Sequence, residues 1–355
     1  MVKVVSRKKK IAVIGHFMYG CDDAAVNGQT TKTKNICAEL SRHYWSEAVV
    51  TLDTNYFRKK LVANYCRLIS ICRNCKIIII MPTGNGLRLL LPVLLILKRI
   101  CGIKILYPVI GGWLPQLLRR DGILLSLIRC VDVIYPETDE ISKELKKLGL
   151  VSVKTMPNFS LRTGLTKLPE INWMNKPYRF CTFSRVTKEK GIGEAAWVVH
   201  ELNKNGYNCS LDIFGPIDES YGKEFKNLLL PGIIEYKGVL EPDEIVATLQ
   251  NYLLMLFPTY YHGEGMPGSV LEAFAAGVPV IASDWHNNKE VVAHMKTGVV
   301  YQLGEKYNLY DAIRRLLDRP EDVINMKNNC LTEYKKYSPD SIMHSIYSEI
   351  EGSIQ

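Results

Sequence analysis

Short apolar runs rich in β-branched residues recur along the chain, separated by longer stretches whose apolar positions fall at helical spacing. In the first half the runs are "IAVIG" (11–15), "AVVTL" (48–52), "KIIIIM" (76–81), "IKILYPV" (103–109) and "VDVIY" (131–135). They are continuous rather than alternating, as expected of strands covered on both faces in a parallel sheet. Helical patterns near 30–43, 86–100 and 138–148 lie between them. The stretch 157–177 holds three prolines, lacks any period and reads as a linker. A second alternation follows, with "YRFCTFS" (178–184), "CSLDIFG" (209–215), "IIEYKG" (233–238), "YLLMLFP" (252–258), "VPVIAS" (278–283) and "TGVVYQ" (297–302) as its strands. The chain closes on "SPDSIMHSIYSEIEG", whose Ile342, Ile346, Tyr347 and Ile350 share one helical face. The pattern predicts an α/β protein of two Rossmann-like, doubly wound parallel-sheet domains. Ligands of such sheets bind outside the carboxyl ends of the strands, so two domains that face each other would share a central cleft.

Composition agrees with two domains: 355 residues, 47% hydrophobic and 23% charged, the values of a globular protein. Charge sharpens the division. Residues 1–165 carry 26 Lys/Arg against 11 Asp/Glu, net +15, and residues 166–355 carry 19 against 25, net −6. A basic first half suggests an anionic partner such as phosphate or a lipid headgroup; a solvated basic surface is the plainer alternative. No nucleic-acid-reading motif accompanies it, so no nucleic-acid partner is expected. The longest apolar run, "LLLPVLLIL" (89–97), is far short of the ~20 residues that span a bilayer. The basic start "MVKVVSRKKKIAVIG" reads as a first strand rather than a signal peptide, which predicts a cytoplasmic protein. Its ten cysteines are then expected as thiols, and the lone Cys72–Cys75 pair has no second half at zinc-site spacing, so no metal is expected.

The stretch "EGMPGSVLE" (264–272) carries the chemistry. A buried strand ends at Pro258, a polar loop follows, and Pro267 stands where a first helical residue belongs. Gly277 then stops the helix. This puts Glu264 in a loop at a strand's carboxyl end and Glu272 inside the helix. Met266, Pro267, Gly268 and Ser269 form the first turn, where the free N–H groups (Pro267 has none) and the helix dipole favour an anion. The arrangement suits a ligand with a sugar at one end, phosphates in the middle and a ribose at the other. A loop charge at 264 and a half-exposed helix residue at 272 would explain the spacing equally well.

These residues resemble the signature region of family 4 glycosyltransferases, the retaining, metal-independent group with the GT-B fold. Glu264 and Glu272 match its E-x7-E spacing. "FSRVTKEKGI" is similar to the family's "GRLxxEKG" turn, which makes Arg185 and Lys190 the donor-diphosphate cations, and "YKGVLEPDEI" places Val239 in the base-contacting segment. The resemblance implies Glu264, Arg185 and Lys190 as catalytic residues. It implies Glu272 on a ribose hydroxyl, and a UDP- or GDP-linked sugar as co-substrate with no cofactor. It further implies residues 1–165 as an acceptor domain, 166–336 as a donor domain, and 337–355 as a helix crossing back to the first domain.

In the first half, "NGQT" and "VIGGWLP" resemble a subgroup that builds bacterial surface polysaccharides. Gly28 and Gln29 would then face donor phosphates, and His16, Gly111 and Gly112 the acceptor. Many family members carry a sugar-contacting His near 111–112; this chain has two glycines there, which leaves open a nucleotide-sugar-binding subunit that supports a partner enzyme. The Leu-rich, Arg-bearing stretches 86–100 and 114–130 suit either core helices or a surface resting on an anionic membrane, next to a lipid-linked oligosaccharide acceptor.

Overall fold

The structure, a computed structural model, describes residues 10–19, 28–55 and 57–354. The chain forms two units, residues 1–159 with 339–355, and 160–338. The divisions expected at 165/166 and 336/337 thus fall at 159/160 and 338/339.

The first unit is built on five parallel strands, β1 (Lys10–Gly15), β2 (Val49–Asp53), β3 (Cys75–Ile80), β4 (Lys104–Pro108) and β5 (Val133–Tyr135), in the order β2-β1-β3-β4-β5. The apolar runs become strands because each residue finds cover on its own side of the pleat. Ala12, Ile14, Ile78 and Ile80 face one core; Ile11, Val13, Ile77 and Ile79 face the other. Against the first core pack α2 (Leu61–Asn74), α3 (Gly84–Cys101), α4 (Leu114–Arg120), α5 (Gly122–Ile128) and α6 (Asp139–Lys147). Against the second packs α1 (Gly28–Tyr44), together with the closing helix (Pro339–Ile354), which buries Met343, Ile346, Tyr347 and Ile350. Each such side chain contributes about 1.5–3 kcal/mol relative to exposure. Lys104 and Lys154 both bond Glu349 and pin the same helix.

The stretch 114–130 is two helices, because Asp121 leaves helical geometry and its carboxylate accepts from Leu124 N at 3.0 Å to cap α5. Pro92 lies inside α3 without ending it.

The second unit has six parallel strands, β6 (Tyr178–Phe183), β7 (Cys209–Phe214), β8 (Ile234–Gly238), β9 (Leu254–Phe257), β10 (Val280–Ser283) and β11 (Gly298–Tyr301), in the order β11-β10-β9-β6-β7-β8. Its helices are α7 (Ile192–Lys204), α8 (Gly222–Lys226), α9 (Ile245–Leu249), α10 (Gly268–Ala275), α11 (Asn288–Val291), α12 (Lys306–Leu317) and α13 (Pro320–Tyr334). The expected linker is irregular but not free: Leu165 N donates to Ala275 O at 2.8 Å and Trp173 Nε1 to Gln250 O at 2.8 Å, tying residues 160–177 to this unit.

Both sheets reverse their winding once, between β1 and β3 in the first and between β6 and β9 in the second. There, loops leaving adjacent strands part to opposite faces and open a crevice, the place where doubly wound sheets hold ligands.

Candidate functional site

At the crevice of the second unit, the chain leaving β6 runs through Arg185 and a 3-10 turn, Lys188–Lys190, to Gly191. Gly191 adopts φ +72°, and a Cβ there would sit 2.1 Å from Pro258 O, so only glycine lets this turn lie against the end of β9. A hydrogen bond locks the contact, Tyr260 N to Glu189 O at 2.8 Å, and Thr259 Oγ1 lies 3.3 Å from the same carbonyl. The loop beyond is held by Ser283 Oγ on Thr259 O and Trp285 Nε1 on Tyr261 O.

This scaffold brings together side chains from two segments far apart in sequence. Lys190 Nζ donates to Glu264 Oε2 at 2.6 Å, and Thr259 Oγ1 donates to the same oxygen at 3.0 Å. The ammonium lies 5.4 Å from the Phe257 ring and 5.2 Å from the Tyr261 ring, while the Arg185 guanidinium is 5.4 Å from Tyr261. Ring faces favour cations without consuming their N–H groups. Lys190 thus keeps donors to spare, and Glu264 Oε1 accepts no hydrogen bond among the described residues.

Pro267 was expected as the first helical residue. It stands one position earlier, extended at φ −71° and ψ 122°, and α10 starts at Gly268 because that ψ is not helical. The early amides of α10 have no intrahelical acceptor, Met266 is buried, and Ser269 is half-buried. Glu272, within α10, has a partner of its own: it forms an ion pair with Arg162. Burial pushes the Glu272 carboxyl up to about 7, against the opposing pull of that guanidinium. No hydrogen bond or ion pair joins Glu272 to Lys190 or Glu264 among the described residues. Val239 is exposed just past β8.

In the first unit, Gln29 Nε2 donates to Met81 O at 3.2 Å, which ties the start of α1 to the end of β3. Gly28 opens the same helix, and among the described residues nothing lies within 4 Å of where a Cβ would stand. Gly111 adopts φ +80° and its N–H donates to Glu137 Oε2 at 3.1 Å; Gly112 follows, half-buried, and His16 is half-buried at the end of β1. Residues 20–27 of the loop before Gly28 lie outside the described residues.

The sequence reading missed Lys32 and Glu137. Lys32 Nζ donates to Glu137 Oε1 at 2.7 Å and to Val109 O at 3.1 Å, deep under the loop that carries Gly111. The available signal was a charged residue two positions after a buried strand, in "VIYPE". Arg162, Thr259 and Tyr261 were also missed; each sits in irregular chain where no period marks it.

Two Rossmann-like parallel-sheet domains in one chain, with charged groups at the strand ends, define the class: the fold is GT-B. Residues 166–332, a little under half of the chain, match the family "Glycosyl transferases group 1". The amylovoran biosynthesis glycosyltransferase AmsK of Erwinia amylovora is 24% identical over 157 residues, 42% of this chain and 39% of that protein. The capsular polysaccharide biosynthesis glycosyltransferase CapM of Staphylococcus aureus is 26% identical over 138 residues, 38% of this chain and 35% of that protein. These matches span well under half the length of either relative. Among solved structures, Anabaena HepE in complex with UDP and glucose superposes with TM-score 0.73 at 14% identity, covering 97% of this chain and 100% of that one.

Proposed function

We propose that the protein is a retaining, metal-independent glycosyltransferase. It moves a hexose-type sugar from a UDP- or GDP-linked donor to a glycan acceptor, lipid-linked, in the cytoplasmic stage of building a bacterial surface polysaccharide. One observation carries the reading: Lys190, Glu264 and Arg185 converge at the switch point of the second sheet, with an unfilled carboxylate oxygen and unfilled cationic donors. HepE, which shares the fold, was solved with UDP and glucose.

In this reading Glu264 Oε1 accepts from the transferring sugar's hydroxyls. Arg185, the spare donors of Lys190 and the first amides of α10 hold the diphosphate. As the glycosyl bond breaks, negative charge grows on the leaving phosphate, and fixed cations lower the barrier more than they strengthen ground-state binding. Two basic side chains do the work a divalent ion would do. The leaving phosphate takes the acceptor hydroxyl's proton on the face where attack occurs, so His16, Gly111 and Gly112 shape the acceptor's place without acting as base. Gly28 and Gln29 approach the donor phosphates, Val239 meets the base, and Glu272 accepts from a ribose hydroxyl.

No helix among the described residues is long and apolar enough to cross a membrane. Ile96, Ile100 and Ile123 are nevertheless exposed, near Arg99 and Arg120 in sequence, which supports docking of the first unit on an anionic leaflet beside a lipid-linked acceptor.

The test is a panel of nucleotide sugars. The true donor raises the melting temperature, since saturation at 100 times Kd stabilises by about 2.7 kcal/mol. Donor hydrolysis or transfer then follows and disappears in Glu264→Ala. Binding with no turnover on any extracted acceptor would favour the supporting-subunit reading, and no binding across the panel sinks both.

A further inference from the structure

The contact between Arg162 and Glu272 joins two parts of the second unit with different roles. Glu272 is inside α10, the helix whose first turn faces the proposed diphosphate. Arg162 belongs to the irregular segment that begins the unit, 110 positions away in sequence. Arg162 is itself held from two sides: its Nε donates to Pro242 O at 2.9 Å, and its carbonyl accepts from Tyr334 Oη at 2.7 Å. The guanidinium is therefore a fixed charge rather than a wandering surface one. It engages Glu272 Oε1, and Oε2 accepts no hydrogen bond among the described residues. The side chains of the pair are only 22% and 12% exposed. A carboxylate that buried stays ionised only while its partner is present.

We propose that Arg162 is a positioning residue for the nucleoside end of the donor: it aims the Glu272 carboxyl and favours its charged form, the stronger acceptor for a ribose hydroxyl. The inference rests on the reading of Glu272 as the ribose contact. Its consequence is that donor binding is gated by one proton. Burial has already brought the Glu272 carboxyl to about 7 with Arg162 in place, so losing the guanidinium drives it higher still. The groups facing Glu272 are Arg162 and the phenol of Tyr334, whose titration burial also pushes upward, out of the neutral range. A protonated carboxyl keeps only a neutral carbonyl oxygen as acceptor, a weaker partner for a ribose hydroxyl than the charged carboxylate.

The experiment is calorimetric binding of UDP-glucose and GDP-glucose to the full chain between pH 5.5 and 8.5. In these probes both phosphates are esterified, so neither ligand titrates in that range. For the wild type, affinity is expected to be flat above neutrality and to fall towards tenfold per pH unit below it. In Arg162→Ala the break shifts upward, so that binding is at least tenfold weaker at pH 7 and recovers by pH 8.5; Arg162→Lys restores the wild-type profile. A merely structural Arg162 would lower affinity equally at every pH, and that outcome overturns the inference while leaving Glu272→Gln weakened. If Glu272→Gln binds as tightly as wild type at every pH, the ribose reading of Glu272 fails instead.

Discussion

Among the described residues, each unit buries one lysine–glutamate pair at the carboxyl end of its sheet, and the two pairs differ in what they leave unused. Lys32–Glu137 in the first unit closes at 2.7 Å with side chains 1% and 3% exposed; Lys190–Glu264 in the second closes at 2.6 Å with 10% and 8%. The geometry is nearly the same, but the surroundings are not. Lys32 also donates to the Val109 carbonyl, and Glu137 also accepts from the Gly111 amide, so the first pair braces a backbone turn. Lys190 is surrounded by ring faces, which leave its hydrogens free, and Glu264 keeps one oxygen unbonded among the described residues. A buried ion pair is thus no mark of function in itself. Removing one partner strands the other charge in either case; unspent hydrogen-bonding capacity is what a ligand can use.

The largest expected effect is on stability, in the braced pair. Lys32→Met leaves Glu137 buried without its cation and should cost about 3–5 kcal/mol in urea unfolding. Turnover per folded molecule should stay within a few-fold, and a collapse of turnover in fully folded protein would erase the distinction between the pairs. Next comes Glu264→Gln. It keeps the size of the side chain but removes the charge, and should lower kcat by about 10²- to 10³-fold. Glu137→Gln, assayed beside it, should not.

A third, smaller effect concerns the other buried carboxylate of the second unit. The folded value for Glu272, about 7, lies above its unfolded value of 4.5. An acid raised in this way stabilises the fold fully below about pH 4.5, and that contribution fades as pH rises through 7. The gap converts to at most about 3 kcal/mol. Wild type should therefore lose stability relative to Glu272→Gln between pH 5 and pH 7.5, and a constant difference would show that the carboxyl is already ionised at the lower pH. The smallest effect is expected at exposed Arg185. Arg185→Ala should weaken donor binding or turnover about tenfold while changing unfolding free energy by no more than about 0.5 kcal/mol, which marks it as a charge held for a ligand rather than for the fold.

Much of the fold was legible in the order of residues. Runs such as Ile77–Ile80 are apolar without a break, and only a strand covered on both sides can bury every one of them. The end of α10 was legible too, because Gly277 takes the left-handed φ of +64° that such a stop requires. Arg185, Lys190 and Glu264 stood out through the resemblance of their short motifs to those of a known family, not through spacing alone. The partners of the remaining buried charges did not. Arg162 lies in a segment without period, and its meeting with Glu272 depends on how that segment folds over α10 and Pro242. Lys32 reads as one more basic residue in a polar helix start, and nothing near it announces Glu137, 105 positions later.

The chain by itself determined which segments are strands and helices, since local burial and backbone preference depend on neighbours a few positions away. It also determined that the strands run parallel, since both faces of each had to be covered. Tertiary structure alone decided the order of strands in each sheet, and with it which charges share a crevice. The strength of a charge pair depends on distance through space and on the water displaced around it, and neither is a function of separation along the chain.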